Sequence, residues 1–212
     1  MDTNVFQILI SFLVLVFSLT VHESAHAWAA DRLGDPTARL LGRVSLNPIV
    51  HVDPIGTVLF PLIGLFTGAP LIGWAKPVPV ATWRFERPRR DYLMVAAAGP
   101  ISNLSLAFIG VVALRLVGPD AGGVFGSTIV EPIRLLAWAT LSINLLLALF
   151  NLLPIPPLDG STVLAGLLPE RMAAAMDRAR PYGFLMLYAL LFSGLFSVVV
   201  GVPYRYLLSW LL

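Results

Sequence analysis

The sequence contains no cysteine and few charged residues. Without thiols, disulfide bonds, thiolate nucleophiles and metal sites with cysteine ligands are excluded. Charged residues make up 12% of the 212 residues and hydrophobic residues 58%, whereas a soluble domain has about 25% charged residues. Because so little polar surface cannot cover a water-soluble body of this size, the composition predicts a membrane protein.

The sequence also lacks an excess of either charge. With 14 basic and 12 acidic residues the net charge is only +2, so no basic surface for nucleic acid is predicted. The mean hydropathy of +0.84 predicts the lipid bilayer as the surrounding medium. Eleven of the 14 basic residues lie in segments 31–53, 75–90 and 169–181. Basic residues near span ends favour the cytoplasm, so these segments are predicted on the cytoplasmic face of a cell membrane, on condition that residues 55–74 enter and leave on the same side. The cell is expected to be bacterial.

Long apolar runs predict an all-α multi-pass membrane protein with about four long spans, formed by a single domain over residues 1–212. The predicted spans are 5–30, 91–117, 131–153 and 182–200. No Lys or Arg precedes the first run, so a spanning helix is favoured there over a cleaved signal peptide.

Two further segments depart from the pattern of straight spans. The apolar run 55–74 contains several Gly and Pro residues, so it is predicted to be bent or re-entrant, as a re-entrant loop or a helical hairpin. Alternation over 39–46 predicts short cytoplasmic strands. The Pro-Val-Pro-Val sequence at 77–80 predicts an extended edge segment, and an edge of this kind would either pair with an unwound substrate or simply oppose aggregation.

The first span carries three ionisable residues within five positions, His22-Glu23-Ser24-Ala25-His26. Ionisable groups inside a span are costly and mark functional sites. Residues i and i+4 lie on one face of a helix, so both imidazoles can reach one metal ion, while Glu23 can hold water beside it. Neutral imidazoles with a carboxylate suit zinc. The alternative is a pair of buried structural histidines.

A catalytic zinc needs a third protein ligand. The soluble metzincins take a third histidine from the same segment, but Ala29 and Arg32 occupy the positions of that pattern's glycine and histidine. The remaining candidates are His51, Asp53, Asp91 and Asp159. Asp159 is favoured because it follows a span broken by three prolines, at a depth that matches the cytoplasmic half of the first span.

With these motifs the chain resembles the site-2 proteases, the zinc intramembrane metalloprotease family. His22 to His26 matches the family's H-E-x-x-H, and Asn151 to Gly160 matches its N-x-x-P-x-x-x-x-D-G. Gly99 to Asn103 matches its G-x-x-x-N. The resemblance is to a minimal form without a PDZ or CBS domain.

The resemblance implies a zinc-dependent endopeptidase that cuts single-span membrane proteins near the cytoplasmic face. One zinc per chain would be bound by His22, His26 and Asp159. Glu23 would be the general base, and Asn151 would hold the substrate carbonyl or its oxyanion.

Several alternatives remain open at this point. Asn103 is predicted to contact the substrate, or else to hold helices together through an interhelical amide bond. His51 would cap a turn or act near the site. A metal transporter would use the same His/Asp cluster without needing Glu23 as a base, and an inactive scaffold would need none of these residues.

Overall fold

The computed structural model describes residues 5–60, 62–63, 74–118 and 127–212, and the regular elements in these ranges are helical. The N-terminal half comprises α1 (Val5–Arg32), α2 (Thr37–Leu40), a 3₁₀ turn (Pro48–Val50), a π-helical segment (Pro54–Leu59), a second 3₁₀ turn (Thr82–Arg84) and α3 (Pro88–Val117). The C-terminal half comprises α4 (Ser127–Asn151), α5 (Asp159–Leu167), α6 (Glu170–Ala179), a 3₁₀ turn (Arg180–Tyr182), α7 (Gly183–Phe192), α8 (Leu195–Val199) and α9 (Gly201–Leu211).

Three of the described helices are long and apolar enough to cross a membrane: Val5–Arg32, Pro88–Val117 and Val130–Asn151. A fourth span is available if the pair Glu170–Phe192 and Leu195–Leu211, bent by 85°, counts as one. The all-α multi-pass fold is therefore confirmed. The predicted span over 182–200 is interrupted, because the chain breaks between α7 and α8 at Gly194, whose φ of 76° is left-handed.

The helix α3 lies between α1 and α4 and packs against both. Near the N-terminus of α3, Val95 and Phe85 pack with Ala29 and Ala30 of α1. Farther along, Ala107 and Val111 of α3 pack with Leu141 and Leu145 of α4. This arrangement brings the C-terminal half of α1 against the first half of α3, where the candidate site lies.

The two ends of the apolar run 55–74 meet. The Thr57 hydroxyl donates to the Trp74 carbonyl at 2.8 Å, the Trp74 N–H donates to the Gly56 carbonyl at 3.2 Å, and the Lys76 N–H donates to the His51 carbonyl at 2.8 Å. The run thus enters and leaves at one place, as expected of a bent or re-entrant segment. Residues 61 and 64–73 lie outside the described part of the chain.

The short cytoplasmic strands are not found in the ranges that the structure describes. Residues 37–40 form α2, and the following backbone bonds are local, with the Arg43 N–H donating to the Ala38 carbonyl at 2.9 Å. Gly42 turns the chain with a φ of 70°. The segment 39–46 therefore forms the end of α2 and an irregular turn, and residues 74–80 are irregular rather than part of a ladder.

Candidate metal centre

Helix α1 places His22 and His26 one turn apart on the face that looks towards α3. Their rings meet edge to face with centroids 4.6 Å apart, and the two Nε2 atoms are 3.1 Å apart. Both side chains are buried, at 5% and 8% exposure. One helical face thus presents two imidazole nitrogens to the same point, as the spacing predicts.

Asp159 reaches that point from the opposite side. It is the first residue of α5, directly after the proline-rich break that ends α4. Its Oδ2 lies 3.1 Å from His22 Nε2 and its Oδ1 lies 3.4 Å from His26 Nε2. One ligand atom from each of the three residues lies within 4.8 Å of the other two.

The neighbouring glycine allows this approach. A Cβ at Gly160 would overlap the carbonyl group of Leu152 and lie 2.6 Å from the carbonyl oxygen of Leu153. Only glycine lets the start of α5 lie against the end of α4, so the Asp-Gly pair of the motif has a steric reason.

Hydrogen bonds behind the two imidazoles fix which nitrogen carries the proton. His26 Nδ1 lies 2.8 Å from the Val95 carbonyl oxygen, which can only accept. His22 Nδ1 lies 2.6 Å from Asn103 Oδ1. In the neutral tautomers that satisfy these bonds, both Nδ1 atoms donate and both Nε2 atoms keep a lone pair.

The donor set fits a divalent metal. With both Nδ1 atoms protonated, two Nε2 lone pairs and a carboxylate converge with no proton between them. Asp159 Oδ2 is buried and meets no hydrogen-bond donor among the described residues. Since a buried, unpaired acceptor is costly, a cation among the three groups would resolve their mutual repulsion. Two imidazoles and a carboxylate are a ligand set that suits zinc.

Helix α3 lies against the cluster through Gly99. A Cβ at this position would lie 2.5 Å from His22 Cε1 and from His26 Nε2. The glycine of the G-x-x-x-N pattern therefore lets the α3 backbone contact both imidazoles.

A cavity of about 520 Å³ opens in front of the cluster. Its polar lining comprises His22, Glu23, His26, Asn151, Asp159 and Thr162, and Tyr92 and Tyr188 add phenol groups to the wall. The rest of the wall is mainly apolar and includes Trp74, Val78, Val80, Phe150, Phe184 and Leu187. Such a cavity accepts an apolar segment and exposes it to a small polar centre.

The predicted catalytic residues Glu23 and Asn151 both line this cavity. Glu23 is partly buried and follows His22 directly on α1. One N–H of the Asn151 side chain donates to the Leu147 carbonyl at 3.0 Å. The second N–H of that amide remains for another acceptor.

Asn103 and His51 lie elsewhere. Asn103 is fully buried behind His22 and is not part of the cavity lining, so its predicted substrate contact has no support from this position. His51 ends the first 3₁₀ turn, and its Nε2 lies 2.9 Å from the Ser45 carbonyl oxygen. It does not belong to the metal-ligand cluster.

The sequence interpretation missed two groups that support the cluster. One is the Val95 carbonyl, which no side-chain pattern reveals. The other is Asn144, which is fully buried and bonded to Asn103. An amide within the apolar run 141–150 is itself a signal, since polar residues inside spans mark interior contacts.

Asp35 positions one wall of the cavity. Its buried carboxylate accepts the Ala81 N–H at 2.6 Å and the Thr37 hydroxyl at 2.5 Å, with Arg84 Nε 3.9 Å away. Burial would raise the pKa of Asp35, but the bonds from Thr37 and Ala81 and the charge of Arg84 hold that pKa below its usual value. The ionised carboxylate thus ties the turn after α1 to the segment that carries Val78 and Val80.

The fold and the cluster define a helical membrane protein with a metal-ligand site on a cavity. A protein-family model described as "Peptidase family M50" matches residues 120–194 of the chain. The inferred zinc metalloprotease YwhC of Bacillus subtilis (strain 168) is 41% identical over 191 residues, which cover 89% of this chain and 82% of YwhC. The chain belongs to peptidase family M50, the site-2 protease family, and is a membrane metalloprotease.

Two longer relatives are also similar. Rip2 of Mycobacterium tuberculosis (strain H37Rv), named as an inferred zinc metalloprotease, is 30% identical over 82% of this chain and 62% of its own length. Rip3 of the same strain is 31% identical over 89% of this chain, which spans 39% of Rip3. The chain thus spans less than two thirds of the length of both Rip proteins. No solved structure matches the chain.

Proposed function

We propose that the chain is a zinc-dependent intramembrane endopeptidase of the H-E-x-x-H type that cleaves single-span membrane proteins near the cytoplasmic face. The observation that carries this proposal is the convergence of His22, His26 and Asp159 beside Glu23 in a mainly apolar cavity. Membership of family M50 supports the protease activity.

One zinc ion would be held by the Nε2 atoms of His22 and His26 and by the carboxylate of Asp159. When bound, zinc supplies Lewis-acid polarisation of a peptide carbonyl and lowers the pKa of water.

Glu23 and Asn151 supply the remaining chemistry. The Glu23 carboxylate takes the proton from the attacking water and passes it to the leaving amine nitrogen, as a general base and then a general acid. The free N–H of the Asn151 amide donates to the carbonyl oxygen of the scissile peptide, where negative charge develops.

The substrate is inferred from the cavity and from the physics of the bilayer. The apolar wall suits the side chains of a membrane span. Because a helical span satisfies its own peptide groups, the substrate must unwind locally before a peptide carbonyl can reach the cluster. Basic residues near span ends favour the cytoplasmic side of a membrane, and this bias supports cleavage towards the cytoplasm.

The test is Glu23→Gln in the full chain, purified in detergent and loaded with zinc, against a panel of single-span membrane proteins. The amide cannot accept a proton, so we expect zinc content to stay at the wild-type value and kcat to fall by about 10²–10⁴-fold. Glu86→Gln is the matched control, because Glu86 is exposed and does not line the cavity. Unchanged cleavage by zinc-loaded Glu23→Gln would refute the mechanism. Metal transport by Glu23→Gln at the wild-type rate would instead favour a metal transporter.

A further inference from the structure

A network of buried polar groups lies behind the metal cluster. It runs from Ser18 of α1 through Asn144 of α4 and Asn103 of α3 to His22. The first three side chains have 0% exposure and His22 has 5%. These residues come from the three long helices, so the hydrogen-bond network crosses the centre of the bundle.

The donor and acceptor of every hydrogen bond in this network follow from one backbone carbonyl. The amide of Asn144 contacts the Thr140 carbonyl oxygen at 2.9 Å, and a carbonyl can only accept. The atom that faces it must therefore be Nδ2, which also donates to Ser18 Oγ at 2.8 Å. Asn144 Oδ1 is consequently the atom that faces Asn103.

Asn103 is oriented by Asn144 in turn. Because Asn144 presents an acceptor, Asn103 must present its NH₂ group, which donates at 2.8 Å. Asn103 Oδ1 then faces His22 Nδ1 at 2.6 Å and can only accept. His22 must carry its proton on Nδ1, which leaves the Nε2 lone pair towards His26 and Asp159.

We propose that Asn103 and Asn144 are positioning residues that fix His22 in the tautomer and orientation in which Nε2 binds the metal. The inference rests on the proposed function, since it assigns zinc to His22. His26 has a backbone carbonyl, that of Val95, for the same purpose. Histidine ligands depend on such hydrogen-bond partners for their orientation. A side-chain amide can rotate, so Asn103 fixes His22 only if a neighbour fixes Asn103. Asn144 does so through its hydrogen bond.

The tautomer can be measured directly, because the chain contains only three histidines. We expect nitrogen NMR of ¹⁵N-histidine-labelled, metal-free protein to show His22 protonated on Nδ1 and unprotonated on Nε2. Spectra of His26→Gln and His51→Gln assign the signals. A wild-type His22 protonated on Nε2 alone would overturn the proposal without any change at Asn103 or Asn144.

Zinc affinity, measured by competition with a chromophoric chelator, gives the second readout. We expect Asn103→Leu to raise the zinc Kd by about 10–100-fold and to remove the single tautomer of His22. Asn144→Leu should act in the same direction, on the order of tenfold, although it contacts no ligand. Thr140→Val is the control, because among the described residues its hydroxyl bonds within α4, to the Leu136 carbonyl, and its own carbonyl is kept.

The outcomes separate this inference from the proposed function. A folded Asn144→Leu protein with the wild-type tautomer and wild-type zinc Kd would overturn the positioning claim. If the wild type bound no zinc, the proposed function would fail, while the tautomer of His22 would still decide what Asn103 and Asn144 do.

Discussion

Replacing Gly99 by alanine tests how closely α3 must approach the metal cluster. The added Cβ would lie 2.5 Å from His22 Cε1 and from His26 Nε2, whereas carbon contacts are optimal at about 3.5–4.0 Å. Each imidazole would have to move by about 1 Å, several times the roughly 0.2 Å tolerance of a metal–ligand distance. We therefore expect Gly99→Ala to lose most of its bound zinc and its proteolysis, the latter by about 10²-fold or more.

Gly110→Ala is the matched control on the same helix. Its Cβ would lie 2.6 Å from the backbone nitrogen of Leu141, so it overpacks the contact between α3 and α4 away from the cluster. Overpacking costs about 1–3 kcal/mol of unfolding free energy. We expect this variant to unfold more easily in detergent but to keep one zinc per folded chain, as measured by elemental analysis. Wild-type zinc content and cleavage in Gly99→Ala would refute the steric reasoning.

Two further predictions concern the loops and the topology. Asp35→Asn should lower the unfolding free energy by about 1–3 kcal/mol, because one buried donor loses its acceptor. The pKa of Asp35 lies below its usual 3.8, so the stabilisation by its carboxylate is present above that pH and is lost as the pH falls through the folded-state pKa. The unfolding free energies of variant and wild type, measured with denaturant, should therefore converge in acid. A difference that stays constant with pH would contradict this prediction. Single cysteines at the exposed Leu40 and Trp83 should resist a membrane-impermeant thiol reagent in intact cells, whereas Gly122→Cys, outside the described residues, should react. Labelling at only one of Leu40→Cys and Trp83→Cys would contradict the prediction that both segments lie on the cytoplasmic side.

The elements that the sequence predicts well are those that depend on local spacing. The four-residue separation of His22 and His26 requires only a helix, and the prolines after Asn151 end α4 in any context. Depth and context favour Asp159 as the third ligand, and the structure brings it to the two histidines. Its role as a ligand remains a prediction.

The elements that the sequence predicts poorly depend on partners far along the chain. Apolar composition over 182–200 indicates burial in lipid but not the break at Gly194. The alternation over 39–46 fits a helix end followed by a turn as well as a strand. The contacts of Asn103 require three helices to be in place, because its partners lie 81 and 41 residues away.

The most direct test of the central claim is the zinc content of purified wild type, Asp159→Ala and His51→Ala, measured by inductively coupled plasma mass spectrometry. Asp159 provides a carboxylate to the cluster, whereas His51 lies outside it. We expect one zinc per chain in the wild type and in His51→Ala, and little zinc in Asp159→Ala, together with loss of proteolysis. Full zinc occupancy in Asp159→Ala would contradict the assignment of the metal centre.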